Sequence, residues 1–426
     1  MIRKSSAKKR FRQFLRNAFA RLPRDLRHAI YRAMIDCDPA PDSRLELKVA
    51  DTREELEDCF RILHDAYVAS GFMKPAPSGL RVTIYHALPT TTTLCAKYDG
   101  RVVGTMSMIR DGVFGFPLQS VFDISELRAQ PGHIAEISAL AVHPDFRATG
   151  GAILFPLMKF MYEYCTQYFD TRHLVIAVNP DKIELYESLL FFERLQENVV
   201  DRYDFANGAP AVGATLDLQR APEIFRRVYG DKRPRKNLYD YFVSRRLPNI
   251  KLPRRRYYTT NDPVLTPATL NYFFNERCQV FDSLDDRRRA LLWSIYDQPE
   301  YRSVLPLLSE KAQVAPVMRR HQRFSLRCPA EIRFESEGQV HSYAVTVIEI
   351  SLTGFQVSSQ SPIPLGQPGD AIVELGAEES SRMRVRPVRE HHAANEFFYG
   401  FQLQEPDSTW RRCVGALETL QTGTEL

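Results

Sequence analysis

Glu136-Ile137-Ser138-Ala139-Leu140-Ala141-Val142-His143-Pro144-Asp145-Phe146-Arg147-Ala148-Thr149-Gly150-Gly151-Ala152 decides how the first half of the chain is read. A β-rich run over residues 134–142 stops at His143-Pro144, a turn with two glycines follows, and an apolar helical pattern spans 152–169. Glycines let backbone amides approach a ligand closely. The first amides of a helix also carry partial positive charge. Strand, glycine turn and helix together make an anion cradle, and a pyrophosphate or a phosphopantetheine phosphate fits it. An ordinary turn uses the same glycines, so the surroundings must decide.

Working outward, residues 45–49 read as a short strand and 54–70 as a helix with Leu56, Phe60, Leu63 and Tyr67 on one face. Residues 91–98 and 102–109 are β-rich and are separated by Asp99-Gly100, a strong hairpin signal. Beyond the central stretch come a buried strand at 174–178, a helix at 181–191 and a closing strand at 211–218. This order predicts an α/β domain over residues 43–220, a mixed sheet with flanking helices.

In that setting the central stretch resembles the acyl-donor loop of GNAT acyltransferases. Their pattern is Arg or Gln, two residues, Gly, one residue, then Gly or Ala, and Arg147, Gly150 and Ala152 match it, with Gly151 between. A second GNAT-like segment, Asn179-Pro180-Asp181-Lys182-Ile183-Glu184-Leu185-Tyr186-Glu187, holds Asn179 and Tyr186 at the family spacing. The Gly-Phe that usually follows reads Leu190-Phe191 here. A narrower resemblance rests on residues 91–110 with Pro89, on Gly115-Phe116-Pro117-Leu118 and on Ala135-Glu136-Ile137-Ser138. It is to the FeeM-type N-acyl amino acid synthases, and it covers residues 45–220. Glu136-x-Ser138 is also similar to the Glu-x-Ser-Arg of acyl-homoserine lactone synthases, but Ala139 replaces the Arg, which counts against that product.

The resemblance implies an enzyme that moves a long acyl chain from a phosphopantetheine thioester to the amino group of an amino acid. The donor it implies is acyl carrier protein (acyl-ACP) or acyl-CoA. A neutral amine attacks the thioester carbonyl, so a base must take the ammonium proton. Glu136 is the candidate base, with Ser138 beside it, and Tyr186 the acid for the departing thiolate. The backbone amide near Leu140 or Ala141 is the candidate for polarising the carbonyl, and Leu140 and Val142 are expected to contact the donor. Arg147, Gly150, Gly151 and Ala152 would hold the donor phosphates, and Asn179 its arm. Phe114, Phe116, Phe122, Phe155, Phe160 and Tyr164 either line a greasy acyl tunnel or form ordinary core.

The net charge of +5 is unevenly spread. Residues 1–32 hold eleven Lys or Arg and one Asp, leaving −5 for the rest. Cations confined to a short arm argue against a nucleic-acid-binding face. Residues 1–42 are that arm, with a basic amphipathic helix over 1–36 interrupted at Pro23 and a linker at Pro39-Ala40-Pro41-Asp42. Its apolar stripe, including Leu26, Ile30 and Ala33, either packs on its own domain or lies on an anionic membrane surface. The basic face suits an acidic acyl carrier protein.

Seven scattered cysteines without C-x-x-C spacing predict reduced thiols. The histidines show no metal-ligand spacing, so no metal is expected. No apolar run approaches a bilayer-spanning length and no leader is seen, which predicts a soluble, cytosolic protein, the arm allowing peripheral contact with the inner membrane face.

Residues 221–315 read as a Pro-broken helical connector or lid. From 316 to 426 the pattern is all-β, a small barrel, with short runs at 344–350, 355–358, 371–375, 383–388 and 399–403. Arg319-Arg320-His321-Gln322-Arg323 followed by Glu349-Ile350-Ser351-Leu352-Thr353-Gly354 resembles the PilZ domain, where Arg-x-x-x-Arg precedes Asp/Asn-x-Ser-x-x-Gly. That resemblance implies binding of cyclic di-GMP by Arg319, Arg320, Arg323, Glu349, Ser351 and Gly354, with guanidinium groups gripping phosphates and guanine edges. Glu349 departs from the pattern by one methylene. Two other readings stay open: a cyclic di-GMP effector whose transferase fold is an interaction platform, and an acetyltransferase using acetyl-CoA.

Overall fold

A computed structural model describes residues 19, 21–130, 132–147, 149–169, 171–253, 256–259, 265–296, 299–308, 323–336, 338–376, 378–393 and 396–418. The first half is the expected mixed α/β sheet. Its strands are β1 (Leu45–Val49), β2 (Thr91–Tyr98), β3 (Arg101–Arg110), β4 (His133–Val142), β5 (Thr171–Val178), β6 (Glu193–Arg194), β7 (Val200–Tyr203) and β8 (Ala209–Asp217). They lie in the order β1-β2-β3-β4-β5-β8-β6, with β7 paired to β8. Among the described strand pairs of this sheet only β4 and β5 run parallel. The β2–β3 hairpin turns at Asp99 (φ 48°) and Gly100 (φ 77°), the two left-handed residues that a tight hairpin turn requires.

The longer helices of this half are α1 (Arg24–Ala33), α2 (Arg53–Ala69), α3 (Leu154–Tyr168), α4 (Pro180–Leu190) and α5 (Ala221–Tyr229). Thr52 caps α2, its side chain accepting from the Glu55 N–H at 3.2 Å. Helices on both faces bury β3 from Val102 to Arg110. The described part of the arm docks its arginines on α4: Arg27 Nε donates to Glu184 at 2.7 Å and Arg32 Nε to the Ser188 carbonyl at 3.0 Å. Leu26 and Ala33 stay exposed and Ile30 half-buried. Residues 1–18, the first half of the amphipathic reading, lie outside the described residues.

Residues after 220 continue the same core. Phe225, Tyr229, Leu238, Tyr241, Phe242 and Leu247 share a cluster with the sheet and α3. Buried Lys159 of α3 donates to the Phe242 carbonyl at 2.7 Å and pairs with Glu163 at 2.8 Å. Residues 265–305 cover the other side of α2: Phe273 meets Phe60 edge-on at 5.1 Å, and the Tyr272 hydroxyl donates to Glu57 at 2.7 Å. Aromatic rings here supply large buried area without needing long regular helices.

The C-terminal strands β9 (Phe324–Ser336), β10 (Gln339–Ser351), β11 (Gly354–Ser359), β12 (Gly369–Gly376), β13 (Glu379–Ala393) and β14 (Glu396–Leu403) close an antiparallel barrel in the order β10-β11-β14-β13-β12-β9. Helix α6 (Ser408–Glu418) packs on the barrel through Trp410, Cys413, Val414 and Leu417, and the Trp410 indole donates to the Ser351 carbonyl at 2.9 Å. The helix was absent from the all-β reading, although its spacing of apolar residues is helical.

A short strap joins the two halves. Leu47 of β1 and residues 249–251 exchange backbone bonds, Leu47 N–H to the Asn249 carbonyl at 2.9 Å and Lys251 N–H to the Leu47 carbonyl at 2.8 Å. A few residues on, Tyr257 is buried in the barrel core, Tyr258 N–H donates to the Leu375 carbonyl at 2.9 Å, and Arg327 N–H donates to the Tyr258 carbonyl at 3.1 Å.

Candidate functional site

The parallel pair β4 and β5 is joined only over His133–Glu136 and Thr171–Val175. Beyond Val175, β5 goes on pairing with β8 as far as Val178, while β4 goes on pairing with β3. The two strands therefore splay from Glu136 onward. Between Thr105 and Ser107 the β3–β4 register slips, so that Ala139 and Leu140 together face Met106, and Ala139 takes a φ of 54°. A bulge of this kind re-aims backbone groups, here beside the opening. The splay leads into a cleft of ≈ 260 Å³.

Glu136, Ser138, Leu140, Asn179 and Tyr186 all line that cleft. Glu136 is 1% exposed. Its carboxylate accepts the Leu118 N–H at 3.0 Å, which brings together two separate pieces of the sequence resemblance. Burial pushes its carboxyl up to about 8, only partly offset by that hydrogen bond. Tyr186 sits edge-on to Phe192 at 5.8 Å, and burial raises its phenol above the ordinary value, so it holds its proton at neutral pH. Asn179 caps α4, its side chain accepting the Asp181 N–H at 2.9 Å. Ser138 stands opposite Ser107 in the β3–β4 ladder.

The six aromatic residues considered for an acyl tunnel do not line the cleft. Phe116, Phe122, Phe155, Phe160 and Tyr164 are core, and Phe114 is half-buried against the α2 cluster. The greasy wall is instead Phe72, Met106, Met158, Met161, Ile176, Leu190 and Phe192. Methionines adapt their shape to flexible apolar ligands.

Val142, the last residue of β4, and Arg147, Gly150, Gly151 and Ala152, on the largely exposed turn between β4 and α3, all lie beyond the cleft lining. Arg147 Nε donates to the Val142 carbonyl at 2.8 Å, fixing the start of the turn. Gly150 (φ 66°) and Gly151 (φ 95°) both sit in the left-handed region, and a Cβ on Gly151 would lie 2.6 Å from the Phe155 ring. Neither position accepts a side chain without strain. Arg235 Nε donates to Asp36 at 2.6 Å beside this turn and holds that carboxyl below the usual range.

The barrel has a pocket of ≈ 250 Å³ lined by Arg323, Glu349, Ser351 and Gly354, with Gln356, Arg389, His391 and Gln402 around them. Arg323 Nη1 and Glu349 Oε1 are 2.5 Å apart. Ser351 Oγ donates to the Gly354 carbonyl at 3.0 Å, closing the β10–β11 turn. Gly354 is required by packing, since a Cβ there would lie 2.5 Å from the Phe401 carbonyl. Arg319 and Arg320 lie outside the described residues.

Residues 58–217 match the family model of N-acyl amino acid synthase FeeM, and residues 318–417 match that of the PilZ domain. The chain joins a FeeM-type acyltransferase domain to a PilZ domain. Among solved structures it is similar to FeeM, an N-acyl amino acid synthase from uncultured soil microbes, at 22% identity and a TM-score of 0.37, over 42% of this chain and 94% of that one. It is similar to the CoA-dependent acyl-homoserine lactone synthase BjaI at 21% identity and a TM-score of 0.33, over 44% of this chain and 91% of that one. It is also similar to the PilZ domain of YcgR from Escherichia coli, solved with c-di-GMP, at 13% identity and a TM-score of 0.21, over 24% of this chain and 91% of that one. No curated protein matches.

Sequence reasoning missed several residues of the FeeM-type cleft. Tyr203, Phe205 and Ala206 come from β7 and the turn after it, and Tyr67 and Phe72 from the end of α2 and the loop that follows. Long-range pairing alone brings them in. In the PilZ domain, Arg389 and His391 belong to an Arg-Glu-His-His run (389–392) that lies outside both PilZ motifs. Among the described residues no group of three His, Cys, Asp or Glu is placed to hold a metal ion, and no helix is long and apolar enough to cross a membrane.

Proposed function

We propose that this protein transfers a long acyl chain from a phosphopantetheine thioester to the amino group of an amino acid, and that cyclic di-GMP at the PilZ domain tunes the reaction. The observation that carries the first part is Glu136, a buried carboxyl with a raised pKa at the strand splay, in one cleft with Tyr186 and an apolar wall. In this reading the Arg147–Ala152 turn holds the donor phosphates and the arm enters along Asn179. The Leu140 N–H at the bulge polarises the thioester carbonyl. Glu136 takes a proton from the acceptor ammonium, and the free amine attacks the carbonyl carbon. The C–S bond then breaks, the Tyr186 hydroxyl protonates the departing thiolate, and the second proton of the attacking nitrogen passes to the Tyr186 phenolate, leaving a neutral amide and a thiol. The apolar wall supports a fatty rather than an acetyl chain. Steady-state assays with acyl-CoA and acyl-ACP, for the parent and Glu136→Gln, test this, and acylation by the variant at the parent's rate would refute it.

Acyl carrier protein is the donor favoured by the +10 charge of residues 1–32, because such carriers are acidic. Leu26 and Met34, 48% and 73% exposed, keep open a peripheral contact of the arm with the inner membrane face. Deleting residues 1–36 separates the two roles: the carrier reading predicts a higher KM for acyl-ACP, the membrane reading less liposome co-sedimentation.

Arg323, Ser351 and Gly354 in one barrel pocket support nucleotide binding, and the strap supports its coupling to the enzyme. Thr259 bridges Leu326, three residues from Arg323, and the strap's other end pairs with β1. A nucleotide that pulls on β9 thereby acts on the sheet edge. Coupling requires different nucleotide affinity in two enzyme states. Calorimetry with cyclic di-GMP, with Arg323→Ala as control, tests the binding.

A further inference from the structure

Tyr203 closes β7, pairs with Ala209 of β8, and is 2% exposed. Its hydroxyl is buried and finds no hydrogen-bond partner among the described residues. The residue lines the cleft together with Glu136. Its ring sits 5.8 Å from that of Phe205, which in turn meets Tyr85 edge-on at 5.7 Å. Burial raises the phenols of Tyr203 and Tyr85 and the Glu136 charge raises both further, while the Arg81 guanidinium, 4.0 Å over the Tyr67 ring and outside the cleft lining, partly offsets the rise at Tyr203.

A buried hydroxyl without a partner is unfavourable, and phenylalanine would fill the same space without that cost. The hydroxyl is accounted for if a bound molecule supplies the missing acceptor. Its raised phenol keeps it a donor throughout the physiological range. The ligand group that meets it must therefore offer an oxygen. If Glu136 deprotonates the acceptor amine, the amine nitrogen lies within hydrogen-bond reach of that carboxyl. The α-carboxylate carbon of an amino acid is only two bonds from that nitrogen, and Tyr203 lines the same cleft as Glu136. Lys182 is the only cation among the described lining residues, and it is exposed on α4.

We propose that Tyr203 is an acceptor-binding residue whose hydroxyl donates a hydrogen bond to the carboxylate of the incoming amino acid. A neutral donor suits this place. A guanidinium or ammonium would pair with Glu136 and hold it ionised and blocked, whereas a phenol recognises the carboxylate and leaves the base free. The fit to an amino acid, as against a simple amine, then rests on one hydroxyl. Rejection of ligands that lack the matching group is strong at such sites, because the protein's polar group is left unpaired.

The inference rests on the acyltransfer reading above. The test compares parent and Tyr203→Phe, as full-length protein with a fixed acyl donor. Two acceptors are used: an amino acid that the parent acylates, and the amine left when that amino acid loses its carboxyl group. The expected result is a KM for the amino acid raised about tenfold or more, with kcat/KM for the amine and KM for the acyl donor unchanged. The Tm of Tyr203→Phe is expected to equal or exceed the parent's. Equal losses on both acceptors, no loss on either, or a lowered Tm would overturn the inference while leaving acyl transfer standing. A parent that acylates no amino acid at all would overturn the acyltransfer reading, and this inference with it.

Discussion

The backbone N–H of Leu118 donates to the Glu136 carboxylate across 3.0 Å, from a single helical turn that no strand of the sheet contains. One hydrogen bond does not offset complete burial, so the carboxyl rises to about 8. A base of that pKa is mostly protonated at pH 7. We therefore predict that kcat/KM climbs with pH and levels off above about 8, and that Glu136→Gln lowers the rate about 10²–10⁴-fold and flattens the profile.

The same shift affects stability. The folded protein keeps a proton on Glu136 that the unfolded chain releases near 4.5, so this group makes the fold lose stability as pH rises from about 4.5 to about 8. Glu136→Gln removes that loss. Thermal melts should show its Tm gaining on the parent's across that window, with no relative change below it.

Tyr186 carries a phenol held protonated by burial, in the cleft with Glu136. As the acid for the thiolate it acts late, after donor and acceptor are bound. Tyr186→Phe should lower kcat about 10²-fold with little change in either KM. A changed KM with kcat intact would assign it to binding.

Gly151 combines a φ of 95° with a Phe155 ring 2.6 Å from where a Cβ would start. Gly151→Ala should cost about 1–2 kcal/mol for the left-handed backbone alone, lower the Tm, and raise the KM for the acyl donor. Gly150→Ala meets no such ring, so its effect should be confined mainly to backbone strain and donor KM.

Arg323 is held by Glu349 within the barrel pocket, where the PilZ pattern has Asp or Asn. A partly exposed pair of this kind contributes up to about 1 kcal/mol. Glu349→Gln frees the guanidinium for phosphate and should tighten cyclic di-GMP up to about fivefold in calorimetry. Arg323→Ala should abolish the heat.

Much of this architecture was legible in the sequence because local rules govern it. Asp99-Gly100 makes its hairpin, residues 45–49 are the β1 strand, and the two-glycine turn lies between β4 and α3. Glu136, Asn179 and Tyr186, each singled out from its motif, line one cleft. What stayed hidden depends on distant pairing. The splay arises because β5 stays with β8 beyond Val175 while β4 stays with β3, and Tyr203 reaches the cleft through the β7–β8 pairing and Phe72 from the loop after α2. Where residues 221–250 pack on α3, buried Lys159 pairs with Glu163 and also donates to a backbone carbonyl 83 residues away, which no local pattern signals.

Acyl transfer governed by Glu136 is tested most directly by mass spectrometry of lipid extracts from bacterial cells expressing either the parent or Glu136→Gln. The account predicts new N-acyl amino acids with the parent, a mass that fixes chain length and acceptor together, and none with the variant. Soluble parent protein that yields no such species, with or without added cyclic di-GMP, or a variant that yields as much as the parent, would contradict it.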